Sequence, residues 1–442
     1  MNCNYSHDGK TPPDICPVCA ATSDRFEADT SAKSKAGQGS KQKVIIAGAS
    51  IAGVSAAEAL REYNPDAEII LLSKESDLPY YRLNLTRYLA GEVKADELNL
   101  HAETWYKEKN INLVLDSELS QINPENKEVE LRGDRKENYD KLILTMGSHP
   151  FIPPFPGISK ENAMSLRTKA DAEKIMEISK NPVRCVCIGG GILGLETAGA
   201  LVKQGVDVTI LEGFGWLLPR QLNQKAGEIL ESHVQSTGIK LQKNAKTKEL
   251  AGDDRIREVI LDDGSSLPAD LVIITTGVRP NSYVARMAGL DVNMGIIVND
   301  KLQTSNPDIF AAGDVSEHRG VLYGIWGPSQ YQGTIAGMNA GGENVEFAGI
   351  PRSNMLKVLG YDMFSIGQIL TEDASYLTFD GEIDNGYYNF IFRDNHMVGS
   401  ILLGNTKLSA IVKNVVEKKI DCSQILKKSP QINDIIKYLE QI

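Results

Sequence analysis

At 442 residues, 42% hydrophobic and 24% charged, the chain has the composition of a globular protein and is too long for one core, so roughly two to four domains are expected. Its formal net charge of −11 argues against general binding to nucleic acid or to an anionic membrane. No apolar run reaches transmembrane length and no signal peptide opens the chain, which reads as cytoplasmic.

Residues 1–27 read as a small metal module. Cys16-Pro17-Val18-Cys19 is a Cys-x-x-Cys knuckle, and Cys3 lies upstream in Cys3-Asn4-Tyr5. Thiolates presented from tight turns are what a tetrahedral iron or zinc site needs, so Cys3, Cys16 and Cys19 are the candidate ligands. The piece is too short to fold on apolar burial, and metal would supply its folding energy. Residues 28–42 are rich in Ser, Lys, Ala, Gly and Gln with no apolar periodicity, and read as a flexible linker.

Lys43-Val44-Ile45-Ile46-Ala47 is a buried parallel strand by its β-branched run. Gly48-Ala49-Ser50-Ile51-Ala52-Gly53 is a glycine turn opening a small-residue helix, and Glu68 to Leu72 is the next strand, followed by Glu75. This is a dinucleotide-binding unit. Gly48 makes the tight turn, Gly53 lets the helix approach the strand, and the helix N-terminus faces a pyrophosphate. Glu75, about 20 residues on, can accept from ribose hydroxyls. Ser50 stands where the usual pattern has its middle glycine.

A second unit follows. Arg184 to Ile188 is a strand, Gly189-Gly190-Gly191-Ile192-Leu193-Gly194 a complete Gly-x-Gly-x-x-Gly, and Val208 to Leu211 a strand ending at Glu212. An acid there binds a ribose 2′-hydroxyl and repels a 2′-phosphate, so NAD is favoured over NADP. Cys185 and Cys187 lie inside the strand and read as packing residues. The strings Leu142-Ile143-Leu144-Thr145-Met146-Gly147 and Val272-Ile273-Ile274-Thr275-Thr276-Gly277 both end buried strands in Thr-x-Gly, and Ile309 to Ala312 leads into the turn Gly313-Asp314. From Pro351 onward, short strands such as Met363 to Gly367 and Tyr387 to Phe392 mark a strand-rich C-terminal part closed by helices.

The order glycine turn, Thr-x-Gly, glycine turn, Thr-x-Gly, Gly-Asp and strand-rich end resembles the pyridine-nucleotide:flavin oxidoreductases, most nearly the NAD(P)H:rubredoxin oxidoreductases. The resemblance implies an α/β fold with two Rossmann-like domains and a C-terminal α+β interface domain. The expected parts are a metal module (1–27), linker (28–42), FAD domain (43–153 and 278–345), NAD domain (154–277) and interface domain (346–442). Residues 1–27 are similar to the rubredoxin-like domain of rubrerythrins, which holds one iron in four cysteines. Three are present here; the fourth place of that pattern falls directly before Met1, and the frame is expected to continue upstream with that cysteine.

The same resemblance assigns roles. Pro79-Tyr80-Tyr81-Arg82 to Arg87 lies beside the flavin, with Arg82 and Arg87 at its basic positions and Arg87 replacing the usual lysine. Thr145, Gly147 and Gly277 mark the domain crossings. Gly313 and Asp314 approach the flavin pyrophosphate and ribityl chain. Trp326 lies near the flavin or is an ordinary packed aromatic. Glu196 reaches the nicotinamide site and pairs with Arg87, or makes an ordinary surface pair. No cysteine occurs between Cys19 and Cys185, where disulfide-reducing relatives carry theirs. The implied activity is hydride transfer from NADH to FAD, then single electrons to rubredoxin or a similar small redox protein. The alternatives are an NADH oxidase or diaphorase, or the flavoprotein part of a nitrite-reductase-like system, with residues 1–27 as a zinc-ribbon docking module. A homodimer is compatible with this reading.

Overall fold

The structure, a computed structural model, describes residues 41–442 apart from Pro182, Pro351, Arg352 and Glu372. The metal ligands Cys3, Cys16 and Cys19 and nearly all of the linker lie outside the described residues.

Two parallel five-stranded sheets form the body. In the first, strands run in the order 309–311, 141–144, 43–47, 68–72, 111–114. In the second the order is 240–242, 207–211, 184–188, 271–274, 163–164. Each glycine turn therefore leaves the central strand of its sheet. Val44, Ile45 and Ile46 are wholly buried, as a strand covered on both faces requires. Burial of each such side chain contributes roughly 1.5–3 kcal/mol.

Helix Ile51–Tyr63 covers the first sheet with a face of Ala52, Gly53, Ala56, Ala57 and Leu60. Helix Trp326–Ala340 lies on that face through glycines. A Cβ on Gly333 would stand 2.2 Å from Ala52 O, and one on Gly337 2.2 Å from Ala56 O. Alanine at either place would push the helices apart. This contact sets the Gly313-Asp314 turn, just before that helix, against the first glycine turn. The two passages between the sheets pair as short antiparallel strands, Ser148 with Pro280 and Pro150 with Val278.

The C-terminal sheet is antiparallel, ordered 353–358, 361–367, 396–403, 386–393, 377–383. Helices Ser409–Glu417 and Ile432–Leu439 close one face over Phe364, Phe390, Phe392 and Leu402. In the last helix Ile432, Ile435, Ile436 and Leu439 recur at helical spacing, which gives it one apolar side. Among the described residues, no helix is long and apolar enough to cross a membrane.

Candidate functional site

The two glycine turns are built alike, down to the residue that clamps them. Gly48 has φ +111° and Gly189 φ +110°, a conformation glycine adopts without strain. A Cβ on Gly53 would fall 1.9 Å from Gly48 O, and one on Gly194 2.0 Å from Gly189 O. Neither helix could start so close to its strand with any other residue. The Thr145 hydroxyl donates to Gly48 O at 2.7 Å, and the Thr275 hydroxyl to Gly189 O at 2.9 Å. The first threonine of each Thr-x-Gly string thus ties one strand to its neighbour's turn.

Both helix starts are prepared for an anion. Neither has an acidic residue in its first turn, so the orphan N–H groups and the positive helix end are not already neutralised. Ser50 caps the first helix without a side-chain bond. Apart from its chain neighbours, none of the described residues has an atom within 4 Å of a Cβ built on Gly191, so a ligand can approach the backbone there. Glu212 is 6% exposed. It accepts from Gly190 N–H and Phe214 N–H, each at 2.9 Å. Four lone-pair positions on a carboxylate leave room for further donors.

A polar chain joins the loop after the second strand to the Gly-Asp turn. Glu75 Oε1 pairs with Arg82 at 2.6 Å, and the Tyr80 hydroxyl donates to Glu75 Oε2 at 2.6 Å. Arg82 also donates to the Arg167 carbonyl. Arg167 donates to the Ser148 hydroxyl at 3.0 Å and lies 3.5 Å from Asp314 Oδ2. Ser148 and Ser329 donate to Asp314 at 2.9 and 3.3 Å. Burial lowers the Arg82 pKa, but Glu75 and Tyr80 more than offset that and raise it. Arg167 is pulled down, first by burial and then by the Arg82 charge beside it. Two guanidiniums packed together can be eased by an added anion. Arg167, Ser148 and Ser329 carry no role in the sequence reading. Arg167 is followed at once by a legible helix start, the Thr168–Asp171 capping box, but nothing local points it at a residue so far along the chain.

Gln332 is wholly buried, and its Oε1 accepts from Gly313 N–H at 2.9 Å and from Ser316 Oγ at 3.1 Å. Its Nε2 has no acceptor among the described residues. Gly313 has φ +80°, and a Cβ there would lie 3.0 Å from that of Ala52. Gly147 and Gly277 also have positive φ, +64° and +110°. The ring of Trp326 stacks on Tyr81, centroids 5.4 Å apart at 23°.

The expected pair between Arg87 and Glu196 is not formed. Arg87 Nε lies 3.3 Å from Glu92 Oε2, and Lys203 reaches the same carboxylate at 2.5 Å. Glu92 follows directly on the short helix Leu85–Leu89 and is the nearer partner. Glu196 turns instead to the C-terminal sheet, accepting from Leu359 N–H at 2.9 Å. Burial raises its pKa. Cys185 and Cys187 are buried in their strand with sulfurs 3.9 Å apart, and their hydrogen bond, with burial, pushes the Cys185 thiol up. A thiol held protonated is a poor nucleophile. Among the described residues, no group of three or more His, Cys, Asp or Glu is placed to hold a metal.

Two Rossmann-like units, each with a clamped glycine turn, and a Gly-Asp turn at the first define a dinucleotide-dependent flavoprotein scaffold. Residues 42–336 match the pyridine nucleotide-disulphide oxidoreductase family, and the chain belongs to it. Residues 353–420 match the rubredoxin NAD+ reductase C-terminal domain, and residues 1–27 the rubredoxin-like domain of rubrerythrin. The chain is 34% identical to the nitrite reductase [NAD(P)H] of Bacillus subtilis (strain 168), over 88% of this chain and 49% of that protein. It thus spans about half the length of the first curated relatives it matches. It is 30% identical to the NADH-rubredoxin oxidoreductase of Clostridium acetobutylicum, over 89% of this chain and 99% of that one. The crystal structure of that organism's NADH:rubredoxin oxidoreductase superposes with a TM-score of 0.78, covering 90% of this chain and 99% of that chain at 30% identity. A covalent putidaredoxin reductase–putidaredoxin complex gives a TM-score of 0.79 at 26% identity, over 86% of this chain and 94% of that chain. The family binds FAD and NAD(H). The open cradle at Gly191, the unneutralised helix starts and the unpartnered Gln332 Nε2 fit two such dinucleotides.

Proposed function

We propose that this chain is an FAD-dependent oxidoreductase that takes a hydride from NADH and passes single electrons to rubredoxin or a similar small iron protein. The observation that carries the reading is the pair of matched, threonine-clamped glycine turns with no reactive thiol beside them among the described residues. Bound flavin would supply the step from two-electron donor to one-electron acceptor. The chain's own residues bind and orient. Gly48, Ser50 and Gly53 receive one pyrophosphate, and Gly189, Gly191 and Gly194 the other. Gly147 and Gly277 free the backbone at the two crossings. Glu75 and Asp314 accept from sugar hydroxyls, with Arg82 and Arg167 between them as counter-charges. Glu212 selects NADH by repelling a 2′-phosphate. Arg87 and Trp326 border the flavin, and Glu196 borders the nicotinamide. Cys3, Cys16 and Cys19 hold iron or zinc in the module 1–27.

A second reading is the flavoprotein part of a nitrite-reducing system, favoured by the Bacillus subtilis relative of that name. The experiment is a comparison of acceptors. Purified protein reconstituted with FAD is supplied with NADH and given rubredoxin, oxygen, ferricyanide or a nitrite-reducing partner. Rubredoxin should be reduced fastest; a clear preference for the nitrite-reducing partner would replace the first reading with the second.

A further inference from the structure

The loop that follows strand Asp207–Leu211 carries an exposed aromatic ring on a fixed backbone. Glu212 N–H donates to the Gln242 carbonyl, and Ala245 N–H to the Glu212 carbonyl, each at 2.9 Å. Phe214 N–H donates to Glu212 Oε1 at 2.9 Å, and the Phe214 carbonyl accepts from Asn244 N–H at 3.2 Å. Trp216 anchors the far end. Its indole N–H donates to the Leu222 carbonyl at 3.1 Å, and a Cβ on Gly227 would stand 2.6 Å from its ring. Phe214 is thus held by both of its backbone groups, yet the residue is 61% exposed. Among the described residues no aromatic ring stacks on it and no cation lies over it.

A single exposed phenylalanine is ordinary on a protein surface. Two features set this one apart. The first is its neighbours, Gly213 and Gly215. Neither has the left-handed φ that glycine alone takes easily. Neither is crowded: the nearest atom to a Cβ on Gly213 is Ala245 O at 3.9 Å, and to one on Gly215 it is Asn244 Oδ1 at 3.7 Å. Side chains would fit at both places, so what the glycines do is keep the surroundings of the ring bare. The second feature is position. Gly190 N–H and Phe214 N–H hold opposite oxygens of the Glu212 carboxylate. The ring therefore springs from a point one carboxylate away from the second glycine turn. Where Glu212 accepts from a ribose, the base on that ribose comes within reach of the ring. A benzyl group offers a face and no hydrogen-bonding group, so it can hold a base by stacking and not by reading its edge.

We propose that Phe214 is the stacking platform for the adenine ring of NADH, and that it sets how strongly this chain prefers the dinucleotide to a shorter nicotinamide donor. The inference rests on the reading of Glu212 as the ribose-binding residue of the NADH site. The test is binding of ADP-ribose, the adenosine half of the coenzyme without nicotinamide, to the FAD-loaded full chain by isothermal titration calorimetry. Phe214→Ala should weaken binding about fivefold or more, the low end of what base–aromatic stacking contributes. Phe214→Tyr keeps the aromatic face and should stay within about twofold of the parent. Kinetics give a second readout. In Phe214→Ala the KM for NADH should rise, and the KM for reduced nicotinamide mononucleotide, which has no adenine, should not follow it. Equal ADP-ribose affinity in parent and Phe214→Ala, or Phe214→Tyr as weak as Phe214→Ala, would overturn the proposal and leave the reading of Glu212 standing. A matching rise in KM for both donors would also overturn it, since the substitution would then act through the loop and not through the base. ADP-ribose that does not bind the parent at all would overturn both.

Discussion

Glu196 accepts the backbone N–H of Leu359 at 2.9 Å, so a residue expected at the nicotinamide site also fastens the C-terminal sheet to the second dinucleotide unit. The hairpin tip is gripped on several sides. His233 Nε2 bonds the Leu359 carbonyl at 3.1 Å, His233 stacks on Tyr361, and the Leu359 side chain lies where a Cβ on Gly199 would stand, 2.1 Å away. Leu359 itself has φ +49°, which costs a leucine about 1–2 kcal/mol and is held by these contacts.

Removing the acceptor should therefore loosen two domains at once. Glu196→Ala leaves a backbone N–H without a partner and is expected to cost about 1–3 kcal/mol of unfolding free energy, while Glu196→Gln keeps an acceptor and loses less. Burial raises the Glu196 pKa above its unfolded value, so the folded state binds the extra proton. Its contribution to stability is full below the unfolded pKa and is lost as pH rises through the folded one. Unfolding midpoints measured from pH 4 upward (about the unperturbed glutamate value) should show this decline in the parent and not in Glu196→Gln. An identical pH profile in both proteins would refute it.

The threonine clamps predict a separation of cofactors. Thr145→Val deletes the bond to Gly48 O, and Thr275→Val the bond to Gly189 O. Each lost bond is worth about 1 kcal/mol. Thr145→Val should lower flavin retention with the KM for NADH unchanged, and Thr275→Val should do the reverse. Flavin content after gel filtration and steady-state kinetics read the two effects. Equal losses in both variants would show that the turns are not independent.

Arg167 ties Ser148 and Asp314 to the Arg82–Glu75 pair. Arg167→Met keeps most of the buried stem and removes the charge. It should weaken FAD binding at least tenfold, about 1.4 kcal/mol, with little change in the KM for NADH. Fluorescence titration of the apoprotein with FAD measures it, and FMN affinity should change less if Arg167 acts on the part of the ligand beyond the flavin phosphate.

Coenzyme choice rests on Glu212. Its carboxylate orders Gly190 and Phe214, so substitution there disturbs the loop as well as the charge. The nearest atom to a Cβ on Gly213 is Ala245 O at 3.9 Å, which leaves space for a side chain. Glu212→Ala with Gly213→Arg should shift kcat/KM toward NADPH at least tenfold relative to NADH. A parent enzyme equally efficient with NADPH would show that this carboxylate does not discriminate.

Much of the dinucleotide architecture was legible because buried parallel strands read as unbroken apolar runs and their turns as glycines. Lys43–Ala47, Arg184–Ile188 and Leu271–Ile274 are all of this kind. The strand Leu377–Ile383 was not, since Leu-Thr-Phe-Asp-Gly-Glu-Ile mixes a glycine and two acids on an edge that is largely exposed. Arg167 was invisible because its partners lie far away in the chain and meet it only after folding. The Arg87–Glu196 pair failed for a related reason. The family resemblance placed both residues near one site, but Glu92 competes for the arginine and the Leu359 N–H for the glutamate.

The central claim is that electrons leave the flavin site directly for a small iron protein, with no thiol between. The most direct measurement is anaerobic reduction of added rubredoxin by NADH, before and after alkylation of the FAD-loaded protein. Among the described residues the cysteines, Cys185, Cys187 and Cys422, are buried, and with Cys3, Cys16 and Cys19 replaced by serine, alkylation should leave the rubredoxin rate within about twofold. Abolition of rubredoxin reduction by alkylation, with the flavin still reduced by NADH, would contradict the account.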